Sequence, residues 1–209
     1  MLHNIRKQYM FSSLNETNLL PDPIDQFDVW LNEAIECKQP EPTAMVVSTV
    51  DENLQPHSRV VLLKELTPEG FIFFTNYEGN KARQIAGNSK VSLLFFWPAL
   101  ERQVRITGNV EKISEAVSTV YFLSRPLDSR IGAWASPQSR IIRSKDFLEQ
   151  QFEYYKLKFG DNVPKPAHWG GYIVNPVSLE FWQGRPNRMH DRLIYSNESG
   201  EWKISRLAP

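Results

Sequence analysis

The chain has 209 residues, with 24 Lys+Arg against 24 Asp+Glu and a formal net charge of +0; this sets aside non-specific nucleic-acid binding, which needs a basic footprint. One cysteine leaves no intrachain disulfide and no cysteine-cluster metal site, and the four histidines form no HExxH pair. No run reaches about 18 apolar residues and no signal-type apolar segment follows the start, so a cytoplasmic protein with no membrane segment and no bound metal is expected.

Residues 1–20 show no sustained period and are expected to form a flexible arm, with residues 21–209 as a single domain. Asp22 is placed to cap a helix whose first turn holds Pro23 and Asp25, and Ile24, Phe27, Trp30/Leu31 and Ala34/Ile35 recur at helical spacing over 23–37. Pro40 and Pro42 end it, and from Thr43 the period changes. Strands are predicted at Thr43–Val50, Ser58–Lys64 and Gly70–Thr75, a short helix at Lys81–Ala86, and two long strands at Lys90–Trp97 and Arg102–Ile113. Ser114 caps a helix to about Ser124, Arg125-Pro126 breaks it, and a shorter helix spans Asp128–Trp134. Ser144 opens a longer helix with Leu148, Phe152, Tyr155 and Phe159 on one side and Gly160 past its end. After Pro164 and Pro166 come strands at Tyr172–Val174, Leu179–Gln183, Arg192–Tyr195 and Glu201–Arg206. Closely spaced strands joined mostly by short turns favour a mainly β, antiparallel barrel with flanking helices over a doubly wound sheet. No GxGxxG or Walker A run is present.

Phe181–Arg192, FWQGRPNRMHDR, concentrates one Trp, three Arg, one His and one Asp beside a Gly and a Pro. Guanidinium forks match phosphate and carboxylate, so this segment reads as the wall of a pocket for a planar anion, or as a solvated hairpin with paired arginines. Arg59 and Lys64, five apart, point to opposite faces of an unbroken strand and share a ligand only if Lys64 lies at the strand end or a bulge. Thr75, Asn76 and Lys81 sit at a strand-to-helix junction suited to phosphate, or to an ordinary cap. Gln103 and Arg105 share a strand face; Tyr121 and Arg125 share a helix face leading to Ser129; Gln138-Ser139 lies in a loop. No nucleophile–base pair emerges, so hydrolysis of the Ser/His/Asp kind has little support. Two anionic planar molecules explain the pattern better.

These blocks have a recognisable order. RVVLLK (59–64), FFTNYEGNKARQI (73–85), LLFFWPALERQVRITG (93–108), YFLSRPLDSRIGAWASPQS (121–139), FWQGRPNRMHDR (181–192) and WKISRLAP (202–209) together resemble the pyridoxamine/pyridoxine 5'-phosphate oxidase family over nearly the whole chain. The resemblance implies an FMN-binding split β-barrel and a homodimer with shared sites, in which strands of residues 170–209 complete the active site. It implies FMN contacts at Arg59, Val60, Val61, Leu62, Leu63, Lys64, Phe74, Thr75, Lys81 and Gln103, completed by Gln138, Ser139, Trp182 and Arg192. Asn80 stands where the family usually has Arg, which predicts weaker FMN retention. The substrate phosphate falls to Lys64, Tyr121, Arg125 and Ser129, with Arg188, Met189 and His190 over the pyridine ring and Arg188 and His190 as the catalytic pair. Arg6, Lys7, Gln8 and Tyr9 match an arm used as a lid. The implied reaction converts pyridoxamine and pyridoxine 5'-phosphates to pyridoxal 5'-phosphate, with hydride passing to FMN and dioxygen becoming hydrogen peroxide. The alternatives are a split-barrel FMN oxidoreductase acting on another substrate and a non-catalytic FMN or pyridoxal phosphate binder.

Overall fold

The computed structural model describes residues 8–209; Arg6 and Lys7 lie outside them. Asp22 caps α1 (Pro23–Glu36) by accepting the Ile24 N–H at 2.7 Å, with Pro23 in the first turn. Ile24, Phe27, Trp30, Leu31 and Ala34 are buried along one side of α1, and Phe27 meets Phe71 and Phe95 edge-on at centroid distances of 4.9 and 4.8 Å. Then come β1 (Ala44–Val50), β2 (Pro56–Leu62), β3 (Glu65–Thr67), β4 (Gly70–Asn76), α2 (Asn80–Gly87), β5 (Lys90–Trp97) and β6 (Arg102–Lys112). Three helices follow, α3 (Glu115–Ser124), α4 (Leu127–Ala135) and α5 (Lys145–Phe159), before β7 (Trp169–Gln183), β8 (Asp191–Glu198) and β9 (Glu201–Arg206).

The nine strands among the described residues form one sheet in the order β2-β1-β5-β6-β7-β4-β3, with β8 beside β7 and β9 beside β8. Every pairing is antiparallel. The sheet curls into the half-barrel of a split-barrel fold. β7 is the organising strand: β6 runs along one edge, while the other edge pairs with β4 through its first half and β8 through its second. Alternation buries Met45, Val47, Leu93, Phe95, Val104 and Ile106 inward and leaves Gln103 and Arg105 on the outer face.

The two strands expected at 172–174 and 179–183 are one 15-residue strand. Asn175-Pro176 reads as a stop, but the β6–β7 ladder shifts register between Thr107 and Gly108, beside the Gly108↔Pro176 pair, and a strand absorbs Pro at such an irregularity. Gly108 is needed there because a Cβ would lie 2.5 Å from the Asn175 carbonyl oxygen. β3 was not anticipated, since three residues give no alternation to read.

A second, smaller core of Phe122, Ile131, Val163 and Trp169 lies under α3–α5, with Phe152, Tyr155 and Phe159 packed half-buried against it. From Gln8 onward the segment expected to be a mobile arm runs to the C-terminal strands. Met10 and Phe11 N–H donate to the Glu101 carboxylate at 2.8 and 3.0 Å, Leu14 N–H donates to Asp191 at 3.1 Å, and Leu14 is buried. Arg206 joins Glu16, Asp191 and the Leu14 carbonyl.

Candidate active site

A cleft of about 700 Å³ opens where β2, the end of β4, α2, α3 and α4 converge. Val60, Val61, Leu62 and Lys64 line it, with Lys64 just beyond the end of β2, the placement that frees it from the strand's alternation. Arg59 does not line the cleft. Its guanidinium turns the other way, donating to the Val47 carbonyl (3.2 Å), Thr49 Oγ1 (2.6 Å) and Gln84 Oε1 (3.1 Å). Leu63 points into the main core at 4% exposure.

Thr75, at the end of β4, and Lys81, in the first turn of α2, face each other across 2.8 Å; Lys81 Nζ also donates to Gln138 Oε1 at 2.8 Å. Ser139 Oγ accepts the Asn80 N–H at 3.2 Å, tying the 136–140 loop to the start of α2. Gly79, the N-cap, makes no side-chain cap, and a Cβ there would sit 2.5 Å from Gln138 Oε1, so a larger residue would push the Gln138 side chain away from Lys81. Burial and the nearby Arg59 charge lower the Lys81 pKa, and burial alone lowers that of Arg59. Among the described residues neither cation is paired with a carboxylate. Partly buried cations beside a helix N-terminus whose N-cap residue offers no side chain favour an anion.

Phe74 connects this cluster to a second. It stacks on Tyr121 at 3.8 Å and on Trp169 at 5.4 Å, with interplanar angles of 14° and 10°. Arg125, where α3 ends, lies 4.7 Å over the Trp169 ring and 5.7 Å from Phe122. Its Nη1 is buried without a hydrogen-bond partner. Burial lowers the Arg125 pKa and raises that of Tyr121, and the two partly offset these shifts in one another. Ser129, in the first turn of α4, also lines the cleft; the α4 N-cap, Pro126, offers no side-chain cap.

The remaining expected residues lie elsewhere, on the outer face of β6–β7–β8. Register sets Gln103 opposite Trp182 and Trp182 opposite Arg192, making one cross-strand row. His190 packs on Trp182 at 4.5 Å, and Tyr9 meets both rings edge-on at 5.7 and 5.8 Å. His190 Nδ1 accepts the Arg185 N–H at 3.1 Å, so the neutral ring carries its proton on Nε2. Burial first, then the Arg188 charge, depresses the His190 pKa below its ordinary value, with Asp191 opposing. Asn187 and Arg188 have φ of 57° and 63°, a left-handed pair that turns Arg188 and Met189 out to solvent.

One chain therefore carries two separate clusters. The cleft holds Lys64, Thr75, Lys81, Tyr121, Arg125, Ser129 and Gln138; the outer face holds Tyr9, Gln103, Trp182, Arg188, His190 and Arg192. Sequence reasoning missed Trp169, which stacks under Arg125, and Glu180, a buried carboxylate beside Arg192; neither has a local sequence signal that sets it apart from an ordinary strand residue. Among the described residues no helix is long and apolar enough to cross a membrane, and no cluster of three or more His, Cys, Asp or Glu could hold a metal.

A family model described as pyridoxamine 5'-phosphate oxidase matches residues 31–159, and one described as the pyridoxine 5'-phosphate oxidase C-terminal dimerisation region matches 169–209. Pyridoxine/pyridoxamine 5'-phosphate oxidases of Cupriavidus necator and Burkholderia mallei are 52% and 51% identical, each matched over 100% of this chain and 99% of their own length. Among solved structures, PhzG from Burkholderia lata, in complex with tetrahydrophenazine-1-carboxylic acid, superposes with a TM-score of 0.89 at 26% identity, covering 94% of this chain and 98% of that one. An FMN-binding, pyridoxamine 5'-phosphate oxidase-related protein of Nostoc punctiforme shares the fold, with a TM-score of 0.73 at 18% identity over 92% of this chain and 99% of its own. By these matches the chain belongs to the pyridoxine/pyridoxamine 5'-phosphate oxidase family of FMN-dependent oxidoreductases.

Proposed function

We propose that the protein oxidises pyridoxamine 5'-phosphate and pyridoxine 5'-phosphate to pyridoxal 5'-phosphate in a site assembled from two copies of the chain. The observation that carries this reading is Arg125: a half-buried cation in the cleft wall whose Nη1 is buried and unpartnered, joined by an aromatic stack to a second group of unneutralised cations. Leaving a buried N–H unmade costs about 1–3 kcal/mol, a cost that a bound phosphate removes. The donors fit two phosphorylated rings. Lys81, Thr75 and the N-terminus of α2, backed by Arg59, would hold the FMN phosphate; Lys64, Tyr121, Arg125 and Ser129 would hold that of the substrate.

The chemistry that bound FMN would supply is two-electron redox: it would serve as acceptor for a hydride from the substrate C4' and as donor of two electrons to dioxygen, giving hydrogen peroxide. Overall, alcohol and dioxygen give aldehyde and peroxide; the amine also consumes one water and releases ammonia. The protein's own part is position and charge. Gln103, Trp182 and Arg192 complete the flavin site from the partner copy, and Arg188 and His190 approach the pyridine ring from the same side. A neutral His190 with its proton on Nε2 donates a hydrogen bond there. Tyr9 covers Trp182 and His190 and excludes water once substrate is in place.

Adding pyridoxamine 5'-phosphate to the purified yellow protein under air tests the reading by peroxide release. A flavin spectrum with no peroxide would make this a binding protein; peroxide with other reductants alone would make it a related oxidoreductase of different specificity.

A further inference from the structure

One carboxylate on the outer face of the sheet is buried. Glu180 of β7 is 7% exposed although it points away from the main core. Arg105 Nη1 donates to its Oε2 at 3.2 Å and Arg192 Nε to its Oε1 at 2.8 Å. Arg105 is its direct cross-strand neighbour, and Arg192 is the diagonal one, two residues from the directly paired Ile194. Arg192 is held on its other side too, since Nη1 donates to the Ala208 carbonyl at 2.8 Å. Nη2 is then the one guanidinium nitrogen of Arg192 without a protein partner among the described residues. It belongs to the row that also contains Gln103 and Trp182.

The two arginines differ in what they need from Glu180. The Arg105 side chain is 57% exposed and can exchange the carboxylate for water, whereas that of Arg192 is 25% exposed and doubly anchored. A desolvated carboxylate is costly unless it is paired and hydrogen-bonded, so its place here needs a reason beyond surface charge balance. We infer that Glu180 is a positioning residue of the flavin site, holding Arg192 so that Nη2 is presented to FMN alongside Gln103 and Trp182. This rests on the FMN reading above. Glu180 acts through Arg192 and touches neither cofactor nor substrate itself.

A double-mutant cycle tests it, reading FMN affinity by titrating the full-length apoprotein and the dimer by sedimentation. Glu180→Val removes both acceptors while keeping a residue suited to a strand. It is expected to weaken FMN binding about tenfold, the size of one charge-assisted hydrogen bond. Arg192→Met weakens binding at least as much, and the double variant binds no worse than Arg192→Met alone. Loss in Glu180→Val that adds in full to that of Arg192→Met, unchanged affinity in Glu180→Val, or loss of its dimer would each overturn the proposal. Wild-type affinity in Arg192→Met would instead sink the FMN reading at this row, a separate result. If Glu180→Val does not fold, Glu180→Gln carries the same cycle. Its amide has one acceptor oxygen for two guanidiniums and sets its NH2 against the other.

Discussion

Replacing Arg125 by Met separates what this side chain costs the fold from what it gives the ligand. In the free protein the guanidinium carries a buried Nη1 with no partner, a penalty of about 1–3 kcal/mol. Its contact with Trp169 at 4.7 Å returns about 0.5–2 kcal/mol. Met keeps the contact with the aromatic surface and brings no N–H to satisfy, so the ligand-free variant should be as stable as the parent or up to about 1 kcal/mol more so, a rise of roughly 2–4 °C in Tm for a chain of this size. Lost charge-assisted hydrogen bonds to the substrate phosphate should cost about 1.5–3 kcal/mol, or about 10–150-fold in KM. Thermal unfolding of the apoprotein gives the first number and steady-state peroxide release the second. Pyridoxal 5'-phosphate should raise the Tm of the parent and leave that of the variant nearly unchanged. A variant several degrees less stable with an unaltered KM would refute the reasoning, because Arg125 would then be a structural cation.

Asn80→Arg should tighten FMN binding by about tenfold in apoprotein titration, since a guanidinium joins Lys81 at the first turn of α2; no tightening would count against a phosphate contact at this position. His190 has a folded pKa depressed below 6.5, so the unfolded chain takes up its proton first. Its contribution to stability is therefore full above about pH 6.5 and lost as pH falls through the depressed value. Tm measured against pH should decline over that window more steeply in the parent than in His190→Asn, which cannot gain the charge; parallel curves would exclude His190. Arg188→Ala should lower kcat by at least about 100-fold while leaving FMN content near that of the parent, and equal loss of both would remove Arg188 from its place over the substrate.

Much of the fold is written in local pattern. Asp22-Pro23 announces α1 because the cap and the first turn are adjacent, and the period-two runs of β1, β5 and β6 are visible because one face is buried and the other is not. The continuity of β7 is invisible because it depends on a register shift in β6, a property of two strands. The site divides in the same way. Lys81 and Thr75 read as a pair because a tight turn separates them, and Tyr121 and Arg125 because one helical turn does; Ser129 follows the break at Pro126 and joins them only through the packing of α3 against α4's first turn. The row of Gln103, Trp182 and Arg192 exists only through the pairing of three strands, and its residue types gain meaning from the family resemblance rather than from spacing. Arg59 and Leu63 show the limit of a linear motif: within 59–64 the Arg59 guanidinium bonds Thr49 and Gln84 and Leu63 is buried in the main core, while Val60, Val61, Leu62 and Lys64 line the cleft. Glu101 and Asp191, which hold residues 10–14 by their backbone N–H groups, leave no trace in the arm's own sequence.

The most direct measurement is complementation between copies. Co-expression of Arg125→Glu, which disables the cleft, with Arg188→Glu, which disables the outer face, gives about half mixed dimers if chains pair at random. One of the two sites in each mixed dimer is then built from an intact cleft and an intact outer face. Each variant alone should release almost no peroxide, while the mixture should recover about a quarter of the parent's activity per chain. A mixture no more active than its separate parts would contradict the shared site.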